Sequence, residues 1–93
     1  APAIYGLHAE VSHSLVADGG DIQGTVRHSI VFRDVKVDRG AVVENCILMQ
    51  GTLVCADSSL NCVITDKNVV IKDDRTLRGF DSYPVFISKG AVV

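Results

Sequence analysis

Tryptophan is absent from this chain of 93 residues, aromatic residues make up 5%, and proline occurs only twice. A core therefore cannot rest on large rings. It must be built from the aliphatic side chains that lift the apolar fraction to 47%. Charge of one sign is also scarce: nine Lys and Arg against eleven Asp and Glu leave a formal net charge of −2. That balance gives no reason to expect nucleic acid or an anionic membrane surface as a partner. No apolar run approaches the roughly 20 residues that cross a bilayer, and no basic-then-apolar secretion signal opens the chain. The three cysteines, Cys46, Cys55 and Cys62, are odd in number and form no CxxC pair. Neither a disulfide framework nor a zinc knuckle is indicated. The chain starts at Ala1-Pro2 without an initiator methionine and reads as a piece of a longer cytoplasmic protein.

What the chain has in abundance is repetition. Val11, Val26, Val43, Leu60, Leu77 and Val93 form one apolar series, and Ile22, Val37, Val54, Ile71 and Ile87 a second. Their members lie 15 to 17 residues apart, the signature of a solenoid whose units stack to share a core. Val11-Ser-His-Ser-Leu-Val16 returns as Val26-Arg-His-Ser-Ile-Val31 and as Val43-Glu-Asn-Cys-Ile-Leu48. Leu60-Asn-Cys-Val-Ile64 reads as a fourth copy that has lost one residue. Inward candidates fall at Val31, Val37, Val43, Leu48, Val54 and Leu60, in steps of 5 or 6. A six-residue side is too short for a stable helix; it suits a short strand plus a corner, and the β-branched content agrees. Gly24, Asp38, Gly40, Asn45, Gly51, Asp57 and Asn61 supply turn chemistry at the corners. The expected fold is all-β: a single-stranded parallel β-helix of about five rungs, spanning residues 11–93. Residues 1–10 read as a lead-in from a preceding domain. Residues 72–86, charged and interrupted by Gly79 and Pro84, read as a loop bulging from the fifth rung. Phe80, Tyr83 and Phe86 are expected to pack over an end or side of the coil.

Residues for chemistry are few. No nucleophile elbow, phosphate loop or paired-metal motif occurs. His13 and His28 share one repeat position, with Asn45 next in line. Stacked histidines can bind a metal or act as a base beside a neighbouring chain, but corner positions also tolerate His and Asn for backbone hydrogen bonding. No third ligand is visible at that level, so neither a metal site nor a catalytic residue is assigned. Cys46 occupies the place of Ser14 and Ser29, as a small buried filler. Arg27, Arg33, Lys36 and Arg39 form a basic cluster that suits a phosphate-bearing effector through charge-assisted hydrogen bonds. The alternative is a solvated face balanced by Asp34, Asp38 and Glu44.

Several segments resemble one family. They are the lead-in Pro2-Ala-Ile-Tyr5, the run from Asp18 to Phe32, the stretch from Ala41 to Gln50, and Asp66-Lys-Asn-Val-Val-Ile71. Together they resemble the C-terminal β-helix of bacterial glucose-1-phosphate adenylyltransferases (ADP-glucose pyrophosphorylases). The ending from Ser82 to Val93 looks most like the regulatory GlgD-type subunit. The resemblance implies a left-handed, hexapeptide-repeat β-helix that assembles subunits, as a homo- or hetero-oligomer with the catalytic subunit, and supports control by a sugar-phosphate effector. It also implies that Mg2+ and ATP belong to an N-terminal nucleotidyltransferase domain with no counterpart in this sequence. No cofactor and no catalytic residue carry over. Two other classes compete: a hexapeptide-repeat acyltransferase using His13 or His28, and the β-helix of another sugar nucleotidyltransferase such as a mannose-1-phosphate guanylyltransferase.

Overall fold

The computed structural model describes residues 1–93 and contains fifteen short strands and no helix. The first rung holds β1 (Ile4–Tyr5), β2 (Glu10–Ser12) and β3 (Leu15–Val16). The second holds β4 (Asp21–Ile22), β5 (Thr25–Arg27) and β6 (Ile30–Val31). The third is β7 (Lys36–Val37), β8 (Val42–Glu44) and β9 (Ile47–Leu48). The fourth is β10 (Leu53–Val54), β11 (Ser59–Asn61) and β12 (Val63–Thr65). The fifth is β13 (Val70–Ile71), β14 (Thr76–Arg78) and β15 (Val85–Ile87). Every third strand stacks in parallel on its predecessor, giving three five-stranded sheets: β1-β4-β7-β10-β13, β2-β5-β8-β11-β14 and β3-β6-β9-β12-β15. We call these the first, second and third sides. The fold is the expected all-β solenoid, consistent with a hexapeptide-repeat left-handed β-helix.

Register places like residues over like. Ile22, Val37, Val54 and Ile71 stack on the first side, and Val26, Val43 and Leu60 on the second. Val31, Leu48, Thr65 and Ile87 stack on the third. All eleven are buried, including the six inward positions expected from spacing. Burying each aliphatic side chain is worth about 1.5–3 kcal/mol relative to leaving it in water. The one polar member, Thr65, is satisfied: its Oγ1 lies 2.9 Å from Thr52 Oγ1 and accepts from the Met49 amide at 3.3 Å.

The corners explain the rest of the repeat. His13, His28, Asn45 and Cys62 line the edge between the second and third sides, with φ of 49°, 48°, 54° and 56°. This left-handed conformation suits Asn and His better than most residues. The 15-residue spacing arises at a single corner. Two residues separate Ile22 from Thr25, against four between their partners Val37 and Val42. At that tight corner a Cβ on Gly24 would sit 2.5 Å from the Ala41 carbonyl oxygen and 2.6 Å from that of Asp38, so only glycine fits.

Five expectations are corrected. The last members of the two apolar series change sides: Ile87 stacks on Thr65 of the third side rather than on Ile71, and Val93 hydrogen-bonds through its backbone to β13 of the first side rather than following Leu77. Residues 1–10 are not a lead-in: β1 pairs with β4, and β2 with β5, so the first rung starts at Ile4. The pattern hid this because Tyr5, at the place of Ile22, is exposed. The fourth copy has lost nothing. Leu60 pairs with Val43, and Thr65 with Leu48, so Cys62 takes the left-handed corner held by Asn45. The segment looked short because a polar Thr stands at its final inward position. The expected loop at 72–86 shrinks to residues 79–84, since β14 and β15 lie within that span and pair with β11 and β12. The short excursion is closed by reciprocal hydrogen bonds between the Phe80 and Tyr83 backbones. Phe80, Tyr83 and Phe86 do not cap the coil; they are 71%, 81% and 61% exposed.

Candidate functional site

Alternation along a strand decides which residues a β-helix shows to solvent. On the third side, Leu15, Ile30, Ile47, Ile64 and Phe86 stand opposite one another in register and outside the coil. Every rung thus contributes an apolar outward residue. The other two sides differ. The first presents Ile4, Asp21, Lys36, Leu53 and Val70 in its outward column. The second presents Glu10, Thr25, Val42, Ser59 and Thr76, with Ser12, Arg27, Glu44, Asn61 and Arg78 beside them. Only the third side has no polar residue in its outward column, and a contiguous exposed apolar face marks an interaction surface.

That face carries relief. A depression of about 240 Å³ at its first two rungs is lined only by Leu15, Val16, Ala17, Ile30, Val31 and Phe32. At the fifth rung, the loop residues Phe80 and Tyr83 stand with Phe86 around a second concavity of about 420 Å³.

The residues singled out for chemistry do not gather into a centre. His13 and His28 stack with ring centroids 4.9 Å apart and planes 10° from parallel, both exposed on the edge beside the third side. No group of three or more His, Cys, Asp or Glu side chains is arranged to hold a metal ion. Of the basic cluster, Arg27 lies on the second side and pairs with Glu44 at 3.3 Å. Lys36 is on the first side, with Arg33 and Arg39 in the turns before and after its strand. Cys46 is buried as the expected filler; its backbone amide donates to Ser29 Oγ at 3.1 Å and its thiol to the Glu44 carbonyl. Burial pushes that thiol from 9.0 up to about 11. Burial also raises Cys55, and Cys62 is raised by desolvation and then by Asp81, whose Oδ1 lies 3.3 Å from its sulfur. Thiols shifted upward are poor nucleophiles at neutral pH. The outward apolar column was the feature that sequence reasoning missed. Its members sit one residue before the inward series, so that Leu15-Val16, Ile30-Val31, Ile47-Leu48 and Phe86-Ile87 read as pairs of apolar residues, and only Ile64-Thr65 departs from this.

A parallel β-helix of stacked three-strand rungs, with left-handed residues at its corners, defines the class of hexapeptide-repeat domains. The chain belongs to the family described as GlmU-like, C-terminal hexapeptide, which it matches over residues 4–83. It is 41% identical over 91 residues to the glycogen biosynthesis protein GlgD of Bacillus subtilis, covering 98% of this chain and 26% of the relative. It is 34% identical over 70 residues to a glucose-1-phosphate adenylyltransferase of Bacillus cytotoxicus, covering 75% of this chain and 19% of the relative. The corresponding enzyme of Bacillus thuringiensis is 31% identical over 70 residues. The chain thus spans about a quarter or less of the length of these relatives.

Proposed function

We propose that the chain is the C-terminal assembly and regulatory domain of a glucose-1-phosphate adenylyltransferase system, in the GlgD-type subunit. The observation that carries this reading is the match to GlgD across 98% of the chain at 41% identity. In this reading the parent assembly makes ADP-glucose from ATP and glucose 1-phosphate in the cytoplasm, for glycogen synthesis, and the β-helix contributes no catalytic group. Its task is mechanical. Backbone hydrogen bonds run from rung to rung along all three sides, and an aliphatic core fills the centre, so subunits docked on the coil are held in fixed relation. A stiff element of this kind passes a displacement at one docked surface to another. Arg33, Lys36 and Arg39, which make no ion pair, are the cations that would meet a sugar-phosphate effector.

The test is to purify the full-length subunit together with its catalytic partner, with and without residues 4–93. Removing the β-helix is expected to abolish co-purification and the response to sugar phosphates. The isolated chain is expected to make no ADP-glucose. An unchanged assembly after the deletion, or synthesis by the isolated chain, overturns the reading.

A further inference from the structure

We propose that the third side is an isologous docking face, on which a second copy of this chain packs with its coil axis reversed. The inference rests on the assembly reading and specifies its surface and partner. Two-fold symmetry brings residue i of one copy against residue j of the other and j against i. With the axis crossing the face at Ile47, the middle of the column, Ile47 meets its own counterpart. Ile30 then meets Ile64, and Leu15 meets Phe86.

The relief of the face matches this reversal. The depression bounded by Leu15, Ile30 and Phe32 lies at the first two rungs, and Phe86, 61% exposed, protrudes at the fifth. Reversal places the ring of each Phe86 over the depression of the other copy. A cavity of roughly 150 Å³ already admits a benzene ring, and this depression measures about 240 Å³. The edge beside the column adds a second match. The loop carrying Phe80 and Tyr83 and the stacked pair His13–His28 occupy the same edge at opposite ends of the coil. Reversal sets these aromatic groups against each other, an arrangement that rings favour beyond their buried area.

The area suffices. The molecule measures 31 × 23 × 21 Å, so one side offers roughly 600 Å². Two sides meeting remove about 1,200 Å² from water, the lower end for a specific stable contact. The other two sides, with Asp21 and Lys36 or Arg27 and Glu44 in their outward columns, would bury charge in the same operation.

Sedimentation equilibrium of the chain and its variants tests the proposal, with circular dichroism confirming that each variant folds. The chain itself is expected to dimerise. Ile47→Lys, which sets two ammonium groups against each other at the two-fold axis, is expected to weaken dimerisation about a hundredfold or more. Should that variant unfold, Leu15→Lys, at a side chain 70% exposed, gives the same test. Leu15→Lys and Phe86→Glu are each expected to weaken the dimer, and the double variant to restore it, because each lysine then faces a glutamate of the other copy. A parallel arrangement would set like charge against like, so failure of the double variant to restore dimerisation overturns the proposal. A chain that dimerises equally well with Ile47→Lys also overturns it, while leaving the assembly reading intact. A chain that stays monomeric at high concentration overturns it too, and the deletion experiment then judges the assembly reading separately.

Discussion

Cys46 sits one rung above Ser29 and two above Ser14, buried beside the third side's inward column, with Val63 one rung further on. Its thiol ionises near 9.0 in an unfolded chain but only near 11 in the fold, because burial disfavours the thiolate. The unfolded state therefore releases its proton first. The stabilisation is complete below about pH 9 and is lost as pH rises from there to about 11. A shift of about two pH units amounts to about 2–3 kcal/mol. Urea midpoints measured at about pH 8 and about pH 11 should fall for the parent chain and fall less for Cys46→Ser, whose hydroxyl the position accepts at Ser14 and Ser29. Equal losses in both proteins would refute the assignment. Composition and spacing made this residue legible as a filler, whereas Cys62 was not. Its left-handed φ of 56° is imposed by the rungs on either side and has no signature in the residue type.

At the level of the strand, the third side shows how one polar residue is accommodated in an aliphatic column. Thr65 stacks between Leu48 and Ile87 and is fully buried, as is Thr52 at the following corner. The two hydroxyls lie 2.9 Å apart, and Thr52 also donates to the Asp66 carbonyl at 3.3 Å. Removing either partner takes one hydrogen bond from the other in a dry interior at a cost of about 1–3 kcal/mol, while removing both is close to neutral. Thr52→Val and Thr65→Val should each lower the denaturation midpoint, and the double variant should regain most of the loss. Additive losses in the double-mutant cycle would show that the hydroxyls are not coupled. This pair also accounts for a misreading. An inward threonine breaks the apolar series, so the fourth copy looked truncated although its backbone register is complete.

Across the whole molecule each rung touches only its neighbours, so stability is a chain of nearest-neighbour terms. A charge buried in the middle rung breaks contacts on both sides, whereas one in the first rung disturbs only an end. Val43 is fully buried in the third rung, and its register partner two rungs away, Val11, is 38% exposed. Val43→Asp should abolish the cooperative thermal transition, since an unpaired buried carboxylate exceeds the stability of a domain this small. Val11→Asp should keep the transition at a slightly lower temperature. A folded Val43→Asp chain would contradict the packing of the core.

The period, the three-sided coil and the inward residues of the middle rungs, from Val31 to Leu60, are determined by the sequence alone, because burial repeats at each of these rungs and selects Val or Leu each time. The same local logic shows most corners, where Gly, Asn and Asp recur; Asn61, expected at a corner, instead ends β11 and leaves the corner to Cys62. Only the tertiary structure decided where the coil begins, how small the 79–84 excursion is, and which outer face is apolar. Those features depend on register between strands about 17 residues apart, and a strand at either end is held by hydrogen bonds to its neighbour rather than by its own pattern. Tyr5 belongs to the coil because β4 lies beside it. Leu15, Ile30, Ile47, Ile64 and Phe86 become one surface only when parallel stacking brings them into line.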